Sequence, residues 1–384
     1  MRVALPAEWN GRAMMFGGGG YDGAIPSLTS DVPFGGAVPL ARGFAVFGSD
    51  SGHQVDPGDL LNGGAFAIND EALCNFAADA LKKTRDAAMF IINKHYGTQP
   101  SRSYFEGASS GGREALAVAQ RWPRDFDGAI AGAPAWNAAT LDLFFGHMTQ
   151  ILRRPGAFPS PEKQRLVYDR VMASCDGDDG VRDGVISDGA GCDFDPKVLR
   201  CEKGADTGPN CLSDARIAAL REMSSAVEWG YKLDSGERSC PGMPFLSGAD
   251  MSTPGLGIGS RYPNQPLDFT AAFAANFFDQ WAKYFVTRDP DFDGLAFDPL
   301  KPATGEYYER VRATMGARAT SKAVRMYTIP GMGHGGPAAY WGGWDSLTAL
   351  QRWTEKAIAP KEPVVTDLNP AASGRTRPLR EYPE

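Results

Sequence analysis

Residues 101–122 run Ser101-Arg102-Ser103-Tyr104-Phe105-Glu106-Gly107-Ala108-Ser109-Ser110-Gly111-Gly112-Arg113-Glu114-Ala115-Leu116-Ala117-Val118-Ala119-Gln120-Arg121-Trp122. The spacing predicts a strand over 101–106 and a helix over 111–122, stopped by Pro123. Between them Gly107-Ala108-Ser109-Ser110-Gly111 satisfies Gly-x-Ser-x-Gly. The motif is common by chance in a Gly-rich and Ser-rich chain, where it marks a plain turn. With a strand before it and a helix after it, the turn is sharp enough to force Ser109 clear of the sheet. Ser110 adjoins it, but the motif centres on Ser109. The helix amino terminus behind the serine favours negative charge forming at a bound carbonyl.

Working outward, residues 42–50 form a short apolar run bounded by Gly43 and Ser49, which fits a buried strand. Phe76, Ala80, Ala87, Phe90 and Ile91 recur at helical spacing over 75–95, and Gly97 caps that helix. Residues 128–132 read as another strand. Strand, helix, strand, helix, strand implies a parallel sheet with crossovers. After Pro134 the texture changes, to aromatic patches, a cysteine cluster and a Pro/Gly/Ser stretch over 240–266. Strand character returns at 323–329, followed by a Gly-rich loop and a helix over 344–357. The reading is therefore a sheet core, 1–134 and 296–384, interrupted by an inserted lid at 135–295. The tail, 369–384, reads as an extended, Pro-punctuated segment.

Composition narrows the class. The 384 residues carry 39 basic and 46 acidic side chains, a formal charge of −7. No basic stripe is present for a phosphate backbone, so nucleic acid is not an expected partner. No apolar run reaches the roughly 18 residues a membrane helix needs, and residues 1–10 lack the apolar block of a signal peptide. Of the 6 cysteines, Cys175, Cys192, Cys201 and Cys211 cluster, whereas Cys74 and Cys240 stand apart. Such clustering favours disulfides and an oxidising compartment; zinc is the rival, without a Cys-x-x-Cys or a nearby histidine to support it. The location expected is secreted or periplasmic, with a shortened amino terminus.

A serine needs a base. Of the 4 histidines, His53 and His95 precede Ser109, against the hydrolase order of serine, acid, histidine. His147 lies in an apolar stretch and reads as a core or lid residue. His334 sits in Pro330-Gly331-Met332-Gly333-His334, a loop directly after an expected strand, where a base is presented. The glycine run Gly17-Gly18-Gly19-Gly20 leaves backbone N–H groups unobstructed. Gly19 is the candidate for one oxyanion donor and the amide of Ser110 for the other.

These residues resemble the tannase and feruloyl esterase family, which also contains chlorogenate esterases and mono(2-hydroxyethyl) terephthalate hydrolases. The resemblance rests on Leu5-Pro6 with Trp9-Asn10-Gly11-Arg12, the glycine run, Ser49-Asp50-Ser51-Gly52-His53, residues 104–113, Tyr307-Tyr308-Glu309-Arg310-Val311, residues 330–334 and Arg377-Pro378-Leu379. It implies an α/β-hydrolase core with a large lid, hydrolysis of small aromatic esters, and no organic cofactor. Feruloyl-type and galloyl-type esters both fit. Asp176, Asp178, Asp179, Asp183 and Asp188 crowd together. An EF-hand is excluded, because Gly180 and Ser187 fall at its fifth and twelfth positions. By resemblance this is the family's structural calcium loop. Carboxylates would come from Asp176, Asp179 and Asp183, carbonyls from Val181 and Val185, with Cys175–Cys192 clamping the loop and Cys201–Cys211 bridging the next.

Three departures stand out. The family's cysteine pair beside serine and histidine is replaced by Ala108 and Gly335, and a later cysteine by Arg380. The triad acid falls on Asp298, with Asp345, Asp293 and Asp291 as rivals, but only Leu295-Ala296-Phe297 precede it as strand material. The chain also opens almost inside the first shared motif. These departures leave a second reading, a weakly active or non-catalytic relative that binds phenolic ligands. A zinc hydrolase built on the cysteine cluster is a third.

Overall fold

The computed structural model describes residues 1–384 apart from 30–37, 57, 232, 234–236, 254–256, 301–326, 328, 335–338, 370–373 and 381–384. The expected strand at 323–329 and the Tyr307–Val311 motif therefore lie outside the described residues, apart from Tyr327 and Ile329. The chain divides into two compact units, one of residues 1–137, 310–328 and 342–384, the other of residues 138–309 and 329–341.

The first unit is built on a sheet of β1 (Arg2–Ala4), β2 (Arg12–Phe16), β3 (Ala45–Gly48), β4 (Arg102–Ala108) and β5 (Gly128–Gly132), in the order β1-β3-β2-β4-β5. Four strands are parallel: β3, β4 and β5 answer to the expected strands, whereas β2, between β3 and β4, was not read from the sequence; β1 runs antiparallel to β3 along one edge, so the sheet is mixed. Residues 42–50 contract to a four-residue strand, because Leu40–Arg42 form a 3-10 turn closed by left-handed Gly43. Both faces of the sheet are covered. Ala13, Met15, Phe47 and Phe105 pack against α2 (Ala80–Tyr96) and α3 (Ser110–Arg121), through Leu81, Ile92, Ala115 and Val118. Met14, Phe16, Val46 and Tyr104 pack on the opposite side with Leu347, from the helix Ser346–Lys356. This alternation along β2 is the period of two that a doubly covered strand requires.

The helix expected over 75–95 is two pieces, a π turn at Asn75–Asp79 and α2, closed by left-handed Gly97, and it is preceded by a further short helix, α1 (Asp70–Cys74), capped by the Asn69 side chain. The tail is not merely extended, since Thr376–Pro378 pairs antiparallel with Val364–Asp367.

The second unit is mainly helical, with α4 (Ala138–Leu152), α5 (Pro161–Cys175), α6 (Asp214–Ser224) and α7 (Phe273–Gln280). Only two-residue strands, Val227–Glu228 and Ser239–Cys240, pair within it among the described residues. A Cβ on Gly146 of α4 would lie 2.2 Å from the ring of Phe278 on α7, so a side chain at 146 would force the two helices apart. Phe245, Trp281 and Phe285 are each about one-twentieth exposed. They are packing residues of this unit. Leu295 and Ala296 belong to a 3-10 turn, not a strand: Asp293 caps the Leu295 amide, and Gln150 and Arg153 donate to the Leu295 carbonyl.

Candidate active site

Ser109 stands between β4 and α3 with φ 59° and ψ −120°. That conformation is costly for a side-chain-bearing residue, by about 1–3 kcal/mol, and it persists only where its surroundings fix it. Here they do. The Ser109 amide donates to Gly132 O at 2.9 Å, and its carbonyl accepts from Arg113 N and Ala135 N, both at 3.1 Å. Small neighbours permit the bend, since a Cβ on Gly107 would lie 2.5 Å from the Gly111 carbonyl carbon. The serine side chain is half-buried at the carboxyl edge of the sheet.

The glycine run lies against the first turn of α3. Gly17 N donates to Glu106 O at 2.8 Å and Gly111 N to Gly18 O at 3.0 Å, and the Ser110 hydroxyl donates to Gly20 O. Gly19 is exposed, with nothing within 4 Å of where a Cβ would sit. The Ser110 side chain is thus occupied in holding the loop.

Beneath this loop sequence reading missed a polar cluster. Asp22 and Glu114 are buried, the latter 3% exposed. Ser51 donates to Asp22 Oδ2 at 2.7 Å, and Glu114 Oε2 accepts from Gly18 N at 3.1 Å. Burial, and then the neighbouring Asp22 charge, push the Glu114 carboxyl well above the usual range. Burial also raises Asp22, against the opposing pull of Arg113 and the Ser51 hydroxyl. The available signal was a carboxylate inside each of two glycine-dense stretches, Asp22 and Glu114.

In the second unit, His334 follows a turn at Pro330 and Gly331. Gly331 has φ +75°, its carbonyl accepts from Tyr340 N at 3.1 Å, and a Cβ there would meet Val185 Cγ1 at 2.6 Å. The histidine loop therefore rests on the acidic loop. The His334 ring reaches solvent, yet enough protein surrounds it that desolvation lowers its pKa. Gly335, where the family has a cysteine, lies outside the described residues. His147 is buried, as expected of a core residue, with Nε2 3.7 Å from Glu222. Asp298 is exposed; its Oδ1 accepts from Leu300 N at 3.0 Å, and its charge acts on His147 and Tyr231. Burial, then Asp298, pushes the Tyr231 hydroxyl to about 12.

Both expected disulfides are present, Cys175–Cys192 and Cys201–Cys211, with Cys74 and Cys240 as free thiols. Within the clamped loop, Asp176 Oδ1 accepts from Gly184 N and Val185 N, and Asp179 accepts from Val181 N and Ser187 N. Among the described residues no three His, Cys, Asp or Glu side chains converge to hold a metal. The hard oxygen donors suit calcium in kind, while in this arrangement Asp176 and Asp179 are turned to backbone amides. With the four clustered cysteines in disulfides, none is left as a zinc thiolate. No helix among the described residues is long and apolar enough to cross a membrane.

The mixed sheet and the serine turn are those of an α/β-hydrolase-type fold. Feruloyl esterase B from Aspergillus oryzae superposes with a TM-score of 0.77 at 23% identity, over 99% of this chain and 83% of that one. The tannin acyl hydrolase from Aspergillus niger gives 0.64 at 20%, over 99% and 80%. The family description "Tannase and feruloyl esterase" matches residues 1–302 and 292–384, the two matches overlapping around Asp298. An uncharacterized esterase of Agrobacterium fabrum is 30% identical over 100% of this chain and 78% of its own length. The mono(2-hydroxyethyl) terephthalate hydrolase of Piscinibacter sakaiensis is 29% identical over 100% and 78%. The chain belongs to the tannase and feruloyl esterase family, and it is a carboxylic ester hydrolase.

Proposed function

We propose that the chain is a serine esterase of aromatic-acid esters, working through an acyl-enzyme. Ser109 Oγ attacks the ester carbonyl while His334 takes its proton, and the alkoxide is received by the amides of Gly19 and Ser110. His334 then protonates the leaving alcohol. Water, deprotonated by the same imidazole, releases the acid. Asp298 is assigned to orient the ring, and residues 135–295 to cap the site as a lid. The observation that carries this reading is the positive φ of Ser109, held by three backbone hydrogen bonds at a strand-to-helix turn.

Calcium enters the proposal as a structural ion, with Asp176, Asp179 and Asp183 as carboxylate ligands and the Val181 and Val185 carbonyls completing the set. It takes no part in the reaction. Disulfides and fungal feruloyl esterase relatives fit an extracellular protein. The turn at Gly294–Ala296, where a strand would deliver the acid, favours a second reading, a weakly active relative that binds phenolic ligands.

The test is hydrolysis of a p-nitrophenyl ester and of methyl ferulate, methyl gallate, chlorogenate and mono(2-hydroxyethyl) terephthalate by wild type and Ser109→Ala. Loss of turnover in the variant on at least one aromatic ester is expected. Equal rates from the two proteins contradict the serine mechanism, and binding without turnover favours the second reading.

A further inference from the structure

We propose that Glu114 and Asp22 share one proton as a buried acid–carboxylate pair that holds the Gly17–Gly20 loop in its working position, making both positioning residues for the oxyanion donor. This rests on the esterase reading, in which Gly19 supplies that donor. The geometry lies entirely within the first unit. Glu114 Oε2 accepts the Gly18 amide, while a Cβ on Gly18 would lie 2.3 Å from Asp22 Oδ1 and one on Gly17 2.8 Å from Glu114 Oε2. The two carboxyls thus flank consecutive peptides of the loop at contact distance. Asp22 Oδ2 is taken by Ser51, but Oδ1 is buried with no hydrogen-bond donor. A buried carboxylate oxygen left without a donor is costly, and a proton on the adjacent Glu114 supplies the missing donor.

Two ionised carboxylates cannot occupy such a site together, as in other carboxyl dyads. The groups facing the pair are Arg113, Ser51 and His53. Arg113 is stacked 4.5 Å over the Phe76 ring and also donates to the Phe76 carbonyl. His53 Nε2 lies 2.9 Å from Tyr21 O, with its ring stacked 3.6 Å from Phe66. One positive guanidinium against one carboxylate and one acid leaves the pocket neutral. A raised carboxyl is favoured below its unfolded pKa and lost as pH rises through its folded one, so the pair fails on the alkaline side. There the second ionisation sets two buried negative charges against the loop.

Glutamine at 114 can accept from Gly18 and donate to Asp22, whereas alanine can do neither. Glu114→Ala is expected to lower kcat by roughly 10- to 100-fold with KM changed less than about threefold, the mark of a lost transition-state donor. Glu114→Gln is expected to recover most of that loss and to abolish the alkaline fall in kcat. Equal kcat for the alanine and glutamine variants overturns the positioning role. The proton is read directly by infrared difference spectroscopy of the whole protein at pH 8, as a protonated-carboxyl C=O band present in wild type and absent from Glu114→Gln. No band, or one untouched by the substitution, overturns the shared proton whether or not esters are cleaved. Equal hydrolysis by wild type and Ser109→Ala would instead overturn the reading it rests on.

Discussion

Gly111→Ala probes how the glycine loop is seated on the serine turn. The added methyl would lie 2.7 Å from Gly18 O and 3.2 Å from the Gly17 carbonyl carbon, where ordinary contacts begin at 3.4 Å. Both neighbours are backbone, so no side chain can swing aside. The Gly18 end must retreat by several tenths of an ångström, against the bond from Gly111 N to Gly18 O. A misplacement near 1 Å at a catalytic group costs about 100-fold, and removing a whole oxyanion donor costs about 100- to 1,000-fold. A partial retreat is thus expected to lower kcat roughly 10- to 100-fold, or about 1.4–2.7 kcal/mol. Overpacking should also remove about 1–3 kcal/mol of stability. The assay is kcat and KM on a p-nitrophenyl ester well below the melting temperature, alongside a thermal melt. A variant with a lowered Tm and wild-type kcat would refute the reasoning, because the loop would have moved without consequence for the reaction.

Desolvation lowers the His334 pKa, and a general base works only unprotonated, so the acid limb of kcat/KM should lie below the ordinary histidine value of 6.5. A limb at or above that value contradicts the assignment. Calcium titration of chelator-treated protein should raise Tm; if it does not, the Asp176–Asp183 segment is a hydrogen-bonded turn and no more. Asp298→Asn should reduce kcat by about 10,000-fold if this carboxylate orients His334. A loss below about tenfold would assign the acid elsewhere and leave Asp298 its effect on His147 and Tyr231.

The serine turn was legible in sequence because everything that makes it is local: a strand, three small residues and a helix start. The disulfide pairs came through a resemblance instead, since spacing alone leaves the pairing open. The antiparallel β1 was not legible, because its pairing joins Arg2–Ala4 to Ala45–Gly48, partners far apart in sequence with β2 lying between them in the chain. The turn at Gly294–Ala296 was missed for a similar reason. Leu295 and Phe297 look like strand residues, but their carbonyls are claimed by Gln150 of α4 and by Arg153 just after it, far earlier in the chain. Asp22 and Glu114 escaped notice because carboxylates are ordinarily exposed, and only the fold buries both beside the same glycines.

The claim on which the account depends is that Ser109 is a nucleophile. Treating wild-type protein with an alkyl fluorophosphonate and mapping the modified peptide by mass spectrometry tests it most directly. One adduct per chain, on Ser109, appearing in step with loss of esterase activity, is the predicted result. Inactivation with the adduct on another residue, or full activity with Ser109 modified, would contradict it.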